Sequence, residues 1–303
     1  MLSSTGKLNN EPDPVSSASQ LAAEVASCKG VALTGPMEEM REKTKTLRCH
    51  IITMTERAGS GHPGGSLSAV ELVTALYFHV LRHDPQNPHW PDRDRFVLSK
   101  GHAAPLLYAA LAEAGYFPVA ELLTLRQLCS RLQGHTHMIT THGVEMSAGA
   151  LGQGLSFGIG NALAARLDDR DYRVYVLLGD GECNEGQVWE AAMAAAHYKL
   201  DNMVAIIDRN RLQIDGWCCD VMNTEPFSEK WRSFGWHTIE VDGHDLDQII
   251  AALGEAKTIE GRPTAIIAHT IKGKGVSFMG NKAEFHGMAP TSEEAKQALR
   301  ELE

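Results

Sequence analysis

Two short runs in this chain, Val174-Tyr175-Val176-Leu177-Leu178 and Met203-Val204-Ala205-Ile206-Ile207, are apolar at every position. A strand with one wet face alternates polar and apolar residues. A strand without alternation is covered on both faces, as parallel strands are in α/β folds. Further strands are predicted at Arg95–Ser99, His237–Val241 and Thr264–Thr270, with the two apolar runs extended to Arg173–Leu178 and Met203–Asp208. Helical spacing of Met40, Leu47, Ile51 and Met54 predicts a first helix over Met37–Arg57, ended by Ala58-Gly59-Ser60-Gly61. A second is expected over about Ser68–Leu81, with Ser66 or Ser68 as its cap. Later helices are expected near Ala104–Ala114, Val119–Leu132, Gly154–Leu167, Gln187–Lys199, Leu246–Ile259 and from Ser292 onward. This alternation predicts an α/β fold: a doubly wound, mainly parallel sheet with helices on both faces, forming one domain over 37–303. Residues 1–36, rich in Ser, Asn, Ala and Pro, are expected to form a flexible extension in which only Gln20–Cys28 suits a short helix.

Charge narrows the function. The 303 residues carry a formal charge of −10, which argues against nucleic acid or an anionic membrane as the main partner. The 6 cysteines are scattered without a CxxC pair and read as reduced thiols. No apolar run reaches the roughly 18 to 20 residues of a membrane span, and no signal peptide is visible. The expected setting is cytoplasmic.

The chemistry starts where the Val174–Leu178 strand ends, at Gly179-Asp180-Gly181-Glu182-Cys183-Asn184-Glu185-Gly186, followed by a helix. Doubly wound folds bind ligands at the carboxyl ends of their strands. The glycines allow close backbone approach, and the helix start offers free N–H groups to an anion. Asp180 would repel a phosphate unless a cation lay between them. The residues 182–209 suffice for one helix and one strand, so Asn210 returns to the same sheet edge beside Asp180. An Asp carboxylate, an Asn oxygen and a main-chain carbonyl suit Mg²⁺. The segment resembles the thiamine diphosphate motif, GDG with an Asn some 25 to 30 residues later. That resemblance implies Mg²⁺ held by Asp180, Asn210 and the main-chain oxygen of Leu212.

Histidines distinguish among thiamine diphosphate enzymes. Ser60-Gly61-His62-Pro63-Gly64-Gly65, Leu98-Ser99-Lys100-Gly101-His102 and Gln133-Gly134-His135 each set a His beside Gly in a loop, where neutral imidazoles can bind sugar hydroxyls and move protons. With Gly149-Ala150-Leu151-Gly152-Gln153-Gly154, Ile271-Lys272-Gly273-Lys274-Gly275 and Phe285-His286-Gly287, they resemble the ordered motifs of the transketolase family over about residues 37–303. The resemblance implies that His62, His102, His135 and His286 bind the sugar donor and assist proton transfer. It further implies that Gly149, Leu151, Gly181, Glu185, Asn210, Lys272, His102 and His286 surround the cofactor, with Glu185 also linking neighbouring active sites. The implied reaction moves a two-carbon ketol unit from a ketose to an aldose.

The chain departs from the family pattern at Thr136-His137, His142, Ser147-Ala148 and Phe285, mostly near the expected sugar pocket, which leaves the sugar pair open: a sulfonated or branched sugar is as compatible as xylulose 5-phosphate. Family members also carry a domain that holds the aminopyrimidine ring and supplies a Glu to it, and no candidate for that Glu is visible here. The chain therefore resembles the amino-terminal subunit of a split transketolase, expected to be completed by a complementary C-terminal subunit in a two-plus-two heterotetramer. Two rivals remain at this stage: a subunit of a deoxyxylulose phosphate synthase-like or 2-oxo-acid dehydrogenase enzyme, and a non-catalytic regulatory subunit. Intact Asp180 and Asn210 weigh against the second.

Overall fold

The computed structural model describes residues 35–303. The expected extension and its short Gln20–Cys28 helix lie outside the described residues, apart from the last positions before the first helix. Five strands, β1 (Arg95–Leu98), β2 (Val174–Gly179), β3 (Met203–Arg209), β4 (His237–Asp242) and β5 (Thr264–His269), form one sheet in the order β1-β2-β3-β5-β4. All four pairings are parallel.

Alternate strand residues feed two separate cores. Tyr175, Leu177, Val204, Ile206 and Ile266 point into one, with α1 (Pro36–Ala58), α3 (Val70–Ala75), α4 (Ala104–Ala114), α9 (Leu246–Ala256) and α10 (Ser292–Leu302). The opposite face sends Val174, Val176, Leu178, Ala205, Ile207 and Ile267 against α5 (Gln153–Leu167), α6 (Gly186–His197) and α8 (Phe227–Ser233). Both faces are therefore dry, which is why β2 and β3 carry no polar alternation.

Three local expectations are corrected. The segment 119–132 is helical only over Val119–Thr124, because Arg126 (φ 59°) and Cys129 (φ 65°) take left-handed backbone that stops a helix. The second helix begins earlier, as α2 (Pro63–Leu67), and neither serine caps it. Ser66 Oγ instead donates to the His62 carbonyl at 2.8 Å and Ser68 Oγ to Asp208 at 2.5 Å. The α7 turn (Cys218–Val221) and α8 were not anticipated.

At the carboxyl edge of the sheet the ends of β1, β2, β3 and β5 converge. Gly61, at φ 143°, turns the chain out of α1 so that His62 faces this edge, and an added Cβ there would lie 2.9 Å from Thr55. Gly64 lets the loop holding His286 close over α2, since a Cβ would meet the Phe285 carbonyl oxygen at 2.7 Å.

Candidate active site

A cleft of about 310 Å³ opens at that edge. One wall is the bend after β2 and the loop after β3. Asp180 is buried there, with Gly181 N donating to one carboxylate oxygen (2.9 Å) and Arg211 N to the other (2.6 Å). Asn210 Nδ2 donates to Asp208 (3.1 Å), and its oxygen accepts from Leu212 N (3.1 Å). The Leu212 carbonyl accepts from Lys272 Nζ at 3.4 Å. Burial, with Asp208 nearby, pushes the Asp180 carboxyl up to about 6 against the pull of those two N–H donors.

Lys272 offsets this buried charge only in part, and a divalent cation would supply the rest of the compensation. Asp180, Asn210 and Leu212 present one carboxylate, one amide and one carbonyl oxygen on adjacent turns, a hard donor set that leaves positions open for phosphate oxygens. Among the described residues no three His, Cys, Asp or Glu side chains form a metal cage of their own. These residues fit Mg²⁺ shared with a bound diphosphate.

The facing wall is imidazole. Ring centroids of His62 lie 5.4 Å from His102, 5.8 Å from His135 and 5.6 Å from His286, and His102 and His286 are 4.9 Å apart. Burial is the main cause that holds His62 down at about 4 and His286 at about 3, with Arg126 adding most to the first and Lys272 to the second. Burial likewise lowers His102 and His135. All four are neutral at pH 7. Lys272 Nζ donates to His286 Nδ1 at 2.7 Å, and Arg126 Nη2 to His62 Nδ1 at 3.4 Å, which leaves the proton of each ring on Nε2. Burial, reinforced by Lys100, brings Lys272 down to about 8, so it is still mostly cationic at pH 7. The cleft thus pairs a phosphate-binding end with neutral groups that can both give and take protons.

Gly149, Leu151 and Gly181 also line the cleft, so the expected set comes together with one exception. Glu185 is exposed and outside the cleft, beside Gly152, where an added Cβ would lie 2.8 Å from its own. The acid that faces inward at this bend is Glu182, one turn earlier. It accepts from Gly152 N (2.8 Å), Gly179 N (3.0 Å) and Ser99 Oγ, and burial still raises its pKa.

Sequence reasoning missed this residue, and it missed the buried Lys100–Asp208 ion pair beneath the site. Lys100 Nζ also donates to the Gly65 carbonyl (2.7 Å), tying the His62 loop to the ends of β1 and β3. Charges at the ends of otherwise apolar strands were the available signal. Arg126 gave none, because its place depends on its left-handed backbone.

Acid should weaken the fold through these rings. A folded pKa below the unfolded value of about 6.5 means that the unfolded chain binds more protons. The contribution is therefore fully present above about 6.5 and lost as pH falls through about 4 for His62 and about 3 for His286. Melting temperature should fall between pH 6.5 and 4, and less steeply in His62→Ala. The same substitution should cut turnover by about 10²-fold or more with little change in melting temperature at pH 7.5. Equal losses of both at that pH would mean a structural role.

The family model for the transketolase thiamine diphosphate-binding domain matches residues 40–302. A 6-deoxy-6-sulfo-D-fructose transketolase subunit, SqwG, of Clostridium sp. (strain MSTE9) is 46% identical over 265 residues, covering 88% of this chain and 96% of that protein. An apulose-4-phosphate transketolase subunit of Phocaeicola vulgatus is 43% identical over 266 residues, covering 88% and 94%. Human transketolase is 43% identical over 267 residues, but the match spans only 42% of its length. The solved transketolase of Campylobacter jejuni superposes with a TM-score of 0.82 at 35% identity, over 87% of this chain and 42% of that one.

Proposed function

The chain belongs to the transketolase family as a thiamine diphosphate-binding domain, and on that premise we propose that it is the amino-terminal subunit of a two-component ketol transferase. The observation that carries the reading is the meeting, in one cleft, of the Asp180–Asn210–Leu212 oxygens with four neutral histidines. Thiamine diphosphate supplies the carbon nucleophile of the reaction when bound. This chain's residues do the rest. Asp180, Asn210 and the Leu212 carbonyl hold Mg²⁺, while Lys272 and the backbone at Gly149, Leu151 and Gly181 position the diphosphate end. His62, His102, His135 and His286 hold sugar hydroxyls and pass protons to and from the sugar oxygens, His62 and His286 through Nε2 because their Nδ1 atoms face Arg126 and Lys272.

Residues 37–303 are proposed to act as one unit, with 1–36 as an appendage. Exposed Glu185 suits a contact with a neighbouring subunit rather than with this cleft, and a two-plus-two heterotetramer would bring such neighbours together. Among the described residues no helix is long and apolar enough to cross a membrane, and a cytoplasmic setting suits sugar substrates.

The relatives named for a sulfonated and a branched sugar favour a ketose donor of one of those kinds. The test is a donor screen on the chain with its complementary subunit, Mg²⁺ and thiamine diphosphate, using 6-deoxy-6-sulfo-fructose, apulose 4-phosphate and xylulose 5-phosphate. The expected result is cofactor-dependent ketol transfer from one of the first two in preference to the third. Decarboxylation of a 2-oxo acid without any ketol transfer would overturn it.

A further inference from the structure

A chain of buried charge runs beneath the cleft and ends on the Lys272 segment. Arg48 and Glu71 form a two-point ion pair at 2.7 and 2.9 Å, with side-chain exposures of only 6% and 9%. Glu71 also faces His244 Nδ1 at 3.1 Å, and the other nitrogen of that ring accepts from Ile271 N at 2.8 Å. The acceptor role of Nε2 places the ring's proton on Nδ1, so His244 donates to Glu71. Burial pushes the Glu71 carboxyl up, but His244 and Arg48 outweigh it and leave it below the usual range. Arg48 Nε meanwhile donates to the Lys274 carbonyl at 3.1 Å. The backbone is thus gripped on both sides of Lys272, at Ile271 and at Lys274.

Between those grips the chain has no regular structure. Gly273 takes φ 77° and packs on Met279, and Gly273 N donates to the Gly64 carbonyl at 3.1 Å. No helix or sheet ladder fixes this segment: Asn281 N donates to the Lys272 carbonyl at 2.9 Å and Lys274 N to the Ile271 carbonyl at 3.1 Å, and with these bonds the grips at Ile271 and Lys274 set the direction of Lys272. The ammonium it aims has two hydrogen-bond partners, His286 and the Leu212 carbonyl. A lateral shift of about 1 Å would cost it both, given the narrow range of good hydrogen-bond distances.

The geometry points to Arg48, Glu71 and His244 as positioning residues that set the Lys272 ammonium for the diphosphate, with His244 as the link that touches its segment. This rests on the reading of the cleft as a diphosphate site. Their carboxylate and imidazole lie away from the cleft and touch no reacting atom.

The test uses the full chain with Mg²⁺ and inorganic pyrophosphate as probe, titrated by calorimetry, so that neither turnover nor the second subunit enters. His244→Asn keeps a donor near Nδ1 for Glu71 but cannot reach Ile271 N. His244→Gln reaches Ile271 N with its amide oxygen. The Asn variant should weaken pyrophosphate binding about tenfold, the loss expected from one displaced charge-assisted contact, and the Gln variant by no more than about threefold. In a Lys272→Ala background, which is itself weakened, His244→Asn should add little, because the coupling runs through the absent ammonium. Equal losses in Asn and Gln variants, or an undiminished His244→Asn effect without Lys272, would overturn the assignment in favour of a general packing role. Unchanged binding in His244→Asn would overturn it outright while leaving the diphosphate site standing. Failure of the unaltered chain to bind pyrophosphate would remove the reading of the site and the inference with it.

Discussion

Asp180→Asn is expected to lower Mg²⁺- and thiamine diphosphate-dependent turnover by at least about 10²-fold, the upper end of what even indirect changes at metal sites cost. The fold should remain. Burial and Asp208 raise the Asp180 carboxyl to about 6 from an ordinary 3.8, so the folded protein holds that proton more tightly than the unfolded chain does. This favourable contribution is present below 3.8 and lost as pH rises through about 6. At neutral pH the buried charge therefore costs the metal-free protein on the order of 3 kcal/mol. An Asn removes that cost but offers one oxygen where Gly181 N and Arg211 N now find two, and an orphaned buried N–H costs about 1–3 kcal/mol. The two effects oppose each other, and the metal-free melting temperatures of variant and parent should agree within a few degrees.

Ligand then separates the two proteins. Mg²⁺ with thiamine diphosphate should raise the parent's melting temperature by linkage and leave that of Asp180→Asn unmoved. For the parent, metal-dependent binding should weaken by about tenfold per pH unit below 6, as the carboxylate takes up its proton. A variant that keeps its ligand-induced stabilisation would sink the metal assignment.

The sheet was legible because its strands are apolar on both faces, a pattern with few other uses in a chain of this composition. All five strands fall within a residue or two of expectation. The site was legible where a residue type and a strand end coincide, as at Asp180 and Asn210, or where Gly flanks His. It was not legible where position depends on backbone that no local pattern encodes. Arg126 reaches His62 only because its own φ is positive. The Arg48–Glu71–His244 chain joins residues 173 positions apart in its longest step, from Glu71 to His244. Glu185 was carried over with its motif, yet the turn at 181–184 buries Glu182 and leaves Glu185 outside. A motif gives neighbours in sequence, and the turn decides which of them faces the ligand.

The largest effect of all should come from adding the complementary subunit: ketol transfer absent with this chain alone and restored by the pair. The cleft has a diphosphate end and a histidine wall but nothing suited to the cofactor's other ring. Of the acids that line it, Asp180 and Glu182 are held by backbone and side-chain donors, and Asp215 is exposed on the loop. None is a sheltered carboxyl free to protonate a heteroaromatic nitrogen. Ile214, which lines the cleft, is 67% exposed, and Trp217 and Met222, further along the same segment on either side of α7, are 42% and 60% exposed. Side chains of this kind gathered beside a ligand site mark a surface that another protein covers. Met222 does not line the cleft, so Met222→Asp should leave the folded chain and its pyrophosphate binding intact. It should raise the partner concentration needed for half-maximal activity by about tenfold, as expected of one charged residue in an apolar contact. The measurement is a coupled ketol-transfer assay on each component by itself and on mixtures of increasing ratio, with the cofactor saturating. Turnover by this chain alone, free of the second subunit, would end the two-component reading, because the missing acid would then have to lie within these 303 residues.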